Sequence, residues 1–98
     1  MKRDEVLEFL RNNRHTLKSD YRIIKIGLIG SFARGEQTEN SDIDLLIEFE
    51  PKTDDIFEKK RKLKHLLKTS LDRDVDICRE KYIKPYLKSY LLKDVIYV

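Results

Sequence analysis

GSFARGEQTENSDIDLLI, residues 30–47, follows an apolar strand and reads as a Gly-Ser turn, a short helical turn, a polar loop and a second strand. The second strand opens with Asp42-Ile43-Asp44, and since successive side chains of a strand point to opposite faces, both carboxylates share one face. Adjacent carboxylates repel each other unless a cation bridges them, so the pattern predicts a divalent metal at Asp42 and Asp44. For an isolated Asp-x-Asp pair, two solvated residues at a strand start are an equally good interpretation.

The residues around this pair are typical of a phosphate site. The Gly30-Ser31 turn offers backbone N–H groups to an anion, because glycine lets the main chain approach closely and a helix start favours negative charge. The Ser31 hydroxyl is predicted to bind terminal phosphates, and Arg34 to bind phosphate or a partner, with a surface salt bridge as the equal alternative for Arg34. Ser41 is predicted to bind phosphate or orient the carboxylate of Asp42, and a turn hydroxyl explains it equally well.

A third carboxylate, Asp76, lies in the strand predicted over residues 73–78. If that strand pairs beside the second one, Asp42, Asp44 and Asp76 converge on one exposed face. Three such acids can hold two Mg²⁺ ions about 4 Å apart and clamp the attacking and leaving oxygens of a phosphoryl displacement. Asp74, two residues earlier, is the rival for the third position because alternation puts it on the same face.

Hydrophobic periodicity predicts an α/β fold in which helices cover a small β-sheet, in the order helix, strand, strand, helix, strand, helix. The helices are predicted over residues 4–18, 55–70 and 83–93, and the strands over residues 22–29, 42–49 and 73–78. Residues 95–98 resemble a strand but are too few to assign.

Three local predictions depend on side-chain spacing. The first strand is predicted to bury Ile24, Ile26 and Leu28 on one face. Asp55 is predicted to cap the middle helix with Glu58 in a capping box. The buried residues of that helix are predicted from their helical spacing to be Leu63, Leu66, Leu67 and Leu71.

The composition predicts one cytoplasmic domain over residues 1–98. No apolar run approaches the roughly 18 residues that a membrane span needs, and acids in the N-terminal segment argue against a secretory signal. The single cysteine, Cys78, excludes an internal disulfide and fits a reducing compartment. A net charge of +3 is too small to indicate a duplex-DNA binder.

The motif GSFARGEQTENSDIDLLIEF resembles the signature of minimal nucleotidyltransferase (MNT) domains of the DNA polymerase beta-like superfamily. That signature is a Gly-Ser turn, an Arg-Gly pair, a Ser-Asp-x-Asp-Leu strand and a later third acid. Asp76 matches the third acid better than Asp74, because an apolar residue flanks it on each side. The matching residues of the first motif are Gly30, Ser31, Arg34, Gly35, Ser41, Asp42 and Asp44. The resemblance implies a palm-like nucleotidyltransferase core built on a small mixed β-sheet, two Mg²⁺ ions and transfer of a nucleoside monophosphate, usually from ATP.

Many stand-alone MNT domains are antitoxins encoded beside a HEPN ribonuclease toxin, and similarity to them implies adenylylation of a toxin tyrosine. In that scheme Asp42 and Asp44 bind both metals, Asp76 binds the metal that activates the attacking hydroxyl, and pyrophosphate leaves near the Gly30-Ser31 turn. The small size favours a protein acceptor, since larger nucleotidyltransferases hold the acceptor with extra domains. One alternative is a binding protein that neutralises its partner by complex formation. Another is a nucleotidyltransferase for a small molecule, such as an aminoglycoside, or for RNA.

Two further patterns have simpler interpretations. The basic run over residues 58–65 is predicted to be a solvated helix face, with contact to RNA or an acidic partner as the alternative. Tyr82, Tyr86 and Tyr90 recur every four residues and are predicted to pack or to form a partner surface.

Overall fold

A mixed sheet of four strands forms the centre of the fold. The structure, a computed structural model, describes residues 1–98. The strands are β1 (Ile23–Ile29), β2 (Ile43–Phe49), β3 (Val75–Arg79) and β4 (Ile96–Tyr97), in the spatial order β3-β2-β1-β4. β1 runs antiparallel to β2 and to β4, whereas β2 and β3 are parallel.

Five α-helices connect or flank these strands: α1 (Arg3–Asn12), α2 (Arg14–Tyr21), α3 (Gly30–Arg34), α4 (Ile56–Leu71) and α5 (Pro85–Leu92). A single 3-10 turn, Glu80–Tyr82, follows β3. The parallel pairing of β2 with β3 uses α4 as its crossover helix, as parallel neighbours require. The predicted α/β class and the predicted order of the main elements are confirmed. No helix is long and apolar enough to cross a lipid bilayer.

One face of the sheet carries the hydrophobic core. Alternate residues of β1, β2 and β3 pack there against apolar side chains of α1, α2 and α4. The most deeply buried members include Val6, Leu10, Leu28, Ile43, Leu45, Ile47, Leu63 and Leu67. Because a slip of one residue would exchange the two faces of a strand, this burial fixes the register of β2 and holds its acidic side chains on the other face.

The first predicted helix, residues 4–18, is wrong as a single element, since it breaks at Asn13. The backbone there has φ −105° and ψ 10°, between α1 and α2. The Phe9 carbonyl accepts two hydrogen bonds from Asn13, one of 3.1 Å from its backbone N–H and one of 2.8 Å from its Nδ2. Asparagine side chains bond to nearby backbone groups in this way and are unfavourable inside helices, which favours a helix end at this position.

The prediction that Ile24 is buried is also wrong. Its side chain is 55% exposed, whereas Ile23 is 5% exposed. The pairing of β1 with β2 has a register shift between Ile23 and Lys25, and a bulge of this kind reverses the inward and outward alternation. Ile26 and Leu28, beyond the bulge, are buried as predicted.

The capping box predicted for α4 does not form. Asp55 is the N-cap residue, but its φ of 55° is left-handed and its side chain caps no N–H group. Glu58 instead accepts a hydrogen bond of 2.8 Å from Arg61 Nε. The predicted buried stripe of α4 is confirmed at three of its leucines, while Leu66 is only half-buried.

The C-terminal residues close the sheet and leave α5 exposed. β4 pairs with β1, placing Tyr97 opposite Gly27, where an added Cβ would meet Val95 Cγ2 at 2.8 Å. No residue of α5 is buried. Tyr82, Tyr86 and Tyr90 are exposed, so the packing interpretation of these tyrosines is wrong.

Candidate active site

The register of β2 with β3 brings two of the predicted acids together. Asp44 and Asp76 are paired across the two parallel strands, one position beyond the Ile43–Val75 pair. Since Ile43 and Val75 are both buried in the core, the two aspartates lie on the opposite face of the sheet. Asp42 precedes β2 on an exposed loop.

The three acids act on one another electrostatically. Burial raises the pKa of the Asp44 carboxyl above its usual value, and the negative charges of Asp76 and Asp42 raise that pKa further. The positive charge of Arg34 opposes these effects. Ionising a half-buried carboxyl near two other carboxylates costs free energy, and a bound cation offsets that cost.

Gly30 brings the Gly-Ser turn against Asp44. It is the first residue of α3 and has a left-handed φ of 74°. An added Cβ would overlap Asp44 Oδ2 and would lie 3.2 Å from the Cβ and Cγ of that residue. Glycine is therefore required here both for the backbone angle and for the close approach. Ser31 follows in α3, and its carbonyl accepts a hydrogen bond of 2.9 Å from the Glu36 N–H.

Asp74, the rival for the third acid, has a different environment from Asp76. It precedes β3, and its Oδ1 lies 3.0 Å from the Nζ of Lys68 on α4. Its carbonyl accepts a hydrogen bond of 2.9 Å from the Ile43 N–H, so its backbone helps to start β2. Asp76 is thus the partner of Asp44 in the sheet, whereas Asp74 pairs with Lys68.

Arg34 and Ser41 have partners within the chain. Arg34 Nε donates a hydrogen bond of 3.0 Å to Glu36 Oε1, which is the predicted salt-bridge alternative, while its charge still reaches Asp44. Ser41 Oγ accepts a hydrogen bond of 2.8 Å from the Thr38 N–H. This contact agrees with the turn-hydroxyl interpretation, and no hydrogen bond joins the hydroxyl to Asp42. The phosphate interpretation stays a prediction, because the hydroxyl can still donate its own proton.

Arg73 is a residue of this region that the motif analysis missed. Its Nη1 lies within hydrogen-bonding distance of three carbonyl oxygens of the loop before Asp42. The motif analysis had no means to find it, because its partners lie more than 30 residues earlier in the chain. It lies two residues before the first residue of β3, next to Asp74, where its charge alone suggested no role.

The donor chemistry of the site fits magnesium. No three His, Cys, Asp or Glu side chains are close enough together to form a ready-made metal site. The negative charges of Asp76 and Asp42 nevertheless act on Asp44, a hard cation relieves such repulsion, and carboxylate oxygens are ligands that Mg²⁺ prefers. Burial and the charges of Asp76 and Asp44 raise the pKa of the Cys78 thiol, so this neighbour stays protonated and is a poor metal ligand.

Comparison with known sequences supports these observations. The nucleotidyltransferase domain family matches residues 10–98. A Methanocaldococcus jannaschii protein, provisionally named a protein adenylyltransferase, is 41% identical over 95 residues, which cover 96% of this chain and 95% of that protein. The protein adenylyltransferase MntA of Thermococcus cleftensis is 30% identical over 97% of this chain and 94% of its own length.

Solved structures share the fold. A structure provisionally described as a minimal nucleotidyltransferase superposes with a TM-score of 0.78 at 32% identity, covering 98% of this chain and 95% of that one. A toxin–antitoxin structure with AMP-PNP superposes with a TM-score of 0.68 at 27% identity, over 88% of this chain and 69% of that one. The chain belongs to the nucleotidyltransferase domain family, and it is an enzyme of the nucleotidyltransferase type.

Proposed function

We propose that this chain, acting as one cytoplasmic domain, transfers AMP from ATP to a tyrosine hydroxyl of a partner protein. The observation that carries this proposal is the pairing of Asp44 with Asp76 directly beside the Gly30 turn. The names of the relatives support a protein acceptor, and the AMP-PNP in a structural neighbour supports ATP as the donor.

We further propose that the partner is a HEPN-type ribonuclease toxin and that the present chain is its antitoxin. The structural neighbour that contains AMP-PNP is a toxin–antitoxin pair. The exposed tyrosines after β3, Tyr82, Tyr86 and Tyr90, remain available as part of a partner surface.

In the proposed reaction the tyrosine oxygen attacks the α-phosphorus of ATP in line with the leaving group. The new P–O bond forms as the bond to the bridging oxygen of pyrophosphate breaks, and the hydroxyl proton passes to a carboxylate or to water. Asp42, Asp44 and Asp76 would hold two Mg²⁺ ions, which neutralise charge on the phosphates and activate the hydroxyl when bound. Gly30 and Ser31 are proposed to position the departing pyrophosphate through backbone N–H groups, with Arg34 adding positive charge. The contribution of this chain is thus positioning and charge.

The proposal is tested by incubating the chain and its toxin partner with ATP and Mg²⁺, followed by intact-mass measurement. We expect the partner to gain the mass of one or more AMP units, and Asp42→Asn to abolish the gain. A mass gain at a tyrosine, located by peptide sequencing, identifies the acceptor. Full neutralisation of the partner by Asp42→Asn with no mass change would instead support the non-catalytic binding protein.

The third acid is tested by comparing two isosteric variants. Asp76→Asn is expected to reduce transfer by roughly a hundred-fold, because it removes a charge that the reaction needs. Asp74→Asn is the matched control, two residues away, and is expected to retain near-wild-type transfer, since its carboxylate pairs with Lys68 on the surface. Equal activity of the two variants would remove Asp76 from the site.

A further inference from the structure

Arg73 links three segments of the candidate active site. Its Nη1 donates hydrogen bonds of 3.1 Å to the carbonyl of Thr38, 3.1 Å to that of Glu39 and 2.9 Å to that of Ser41. Its guanidinium carbon also lies 5.3 Å from the centroid of the Phe32 ring in α3. One side chain at the start of β3 therefore holds the loop before β2 and contacts the helix that begins with the Gly-Ser turn.

The loop that Arg73 holds leads directly into Asp42. β2 begins only at Ile43, so Asp42 lies outside the paired strands and strand pairing does not fix its position. Three carbonyl oxygens that point toward one centre repel each other, and a cation with several donors in a rigid plane offsets that repulsion. The Ile43 N–H donates to the carbonyl of Asp74, the neighbour of Arg73, which ties the end of the same loop to β3.

We propose that Arg73 is a positioning residue for nucleotidyl transfer. It holds the loop that leads into Asp42 and so restricts where this carboxylate lies relative to Asp44 and the Gly30 turn. Arg73 acts through the loop and touches neither nucleotide nor metal. This inference rests on the proposed function, because it assigns Arg73 a role at the same site.

Arg73→Ala and Arg73→Lys test the role, with Arg22→Ala as the control. Arg22 is also an arginine next to a strand, but its Nε pairs with Glu50 at 3.0 Å, at the end of the sheet far from the site. We expect Arg73→Ala to need roughly ten- to a hundred-fold more Mg²⁺ for half-maximal transfer, the usual effect of losing a group that orients metal ligands. Arg73→Lys should be intermediate, since it keeps the charge and loses the planar fork, and Arg22→Ala should be unchanged.

The Mg²⁺ dependence separates positioning from a merely structural role. Loss of folded protein lowers the maximal rate without changing the Mg²⁺ concentration that gives half of it. A rate that falls only in proportion to the folded fraction, with an unchanged Mg²⁺ requirement, would overturn the proposal. If Arg73→Ala does not fold, Arg73→Lys is compared with the wild type in the same way.

Two measurements need no catalysis and keep this inference distinct from the proposed function. Binding of Mn²⁺, followed by electron paramagnetic resonance, should weaken in Arg73→Ala and not in Arg22→Ala. Amide hydrogen exchange should accelerate at residues 38–43 and remain unchanged in β1. If the wild type transfers no AMP yet these two differences appear, the proposed function fails and the positioning role stands. Absence of Mn²⁺ binding by the wild type, or unchanged binding and exchange in Arg73→Ala, refutes the positioning role.

Discussion

Asp44→Asn is expected to abolish AMP transfer and, without magnesium, to raise the free energy of unfolding at neutral pH. Asp44 faces Asp76 across the sheet and packs against the Gly30 turn, so its carboxylate is central to the proposed site. We expect transfer to fall by roughly a hundred-fold or more, as when a preorganised electrostatic group is removed. The free energy of unfolding should rise because an uncharged amide at position 44 is not repelled by the charges of Asp42 and Asp76.

The sign of the stability change follows from the pKa of Asp44. Burial and the neighbouring acids raise that pKa in the folded state from its ordinary value of 3.8. A group whose folded pKa is raised stabilises the fold while it is protonated, and this stabilisation is lost as the pH rises through the folded pKa. The advantage of Asp44→Asn should therefore be largest at neutral pH and should shrink as the pH falls toward 3.8.

Urea unfolding at several pH values, with and without Mg²⁺, measures these effects. Magnesium should stabilise the wild type, since a ligand that binds only the folded state raises its stability, and should have little effect on Asp44→Asn. Asp74→Asn serves as the control, because its carboxylate pairs with Lys68 outside the cluster. Easier unfolding of Asp44→Asn at pH 7 in the absence of metal would show that the acids do not repel each other.

The sequence predicted a structural feature correctly where that feature depends on the periodicity of a single strand or helix. Asp44 and Asp76 alternate with residues that are buried in the structure, so their common face could be predicted from a period of two. The same reasoning failed at Ile24, because a bulge against β2 reverses the alternation of β1 there. The break at Asn13 was also missed, since helical periodicity does not register a polar side chain that bonds to the backbone of its own helix.

Contacts between segments that are distant in the chain could not be predicted from the sequence. The hydrogen bonds of Arg73 reach a loop that lies 32 to 35 residues earlier in the chain. The choice between Asp74 and Asp76 rested on resemblance, and the difference in their neighbours, Lys68 for Asp74 and Asp44 for Asp76, could not be predicted. Ser41 Oγ accepts a hydrogen bond from the Thr38 N–H, which spacing alone did not predict, and its O–H can still donate to a phosphate.

Gly30→Ala is expected to reduce transfer by about a hundred-fold, the scale of effect that a 1 Å misplacement of reacting groups produces. The added methyl group would overlap Asp44 Oδ2 and displace that carboxylate. Gly35→Ala is a matched control at the other end of α3, where φ is 72° and the nearest atom, Arg3 Nη1, is 3.8 Å away. Both variants should lose about 1–2 kcal/mol of stability from the left-handed backbone, and only Gly30→Ala should lose transfer.

A double-mutant cycle then separates the overlap with Asp44 from the backbone strain. In an Asp44→Ala background the carboxyl group that overlaps the new methyl group is absent, so Gly30→Ala should cost less stability than it does in the wild type. Gly35→Ala should cost the same in both backgrounds, because its surroundings do not include Asp44. Equal costs of Gly30→Ala in the two backgrounds would mean that the turn tolerates a side chain. The glycine would then be required for its φ of 74° alone, and the close approach of the turn to the acid would not explain its presence.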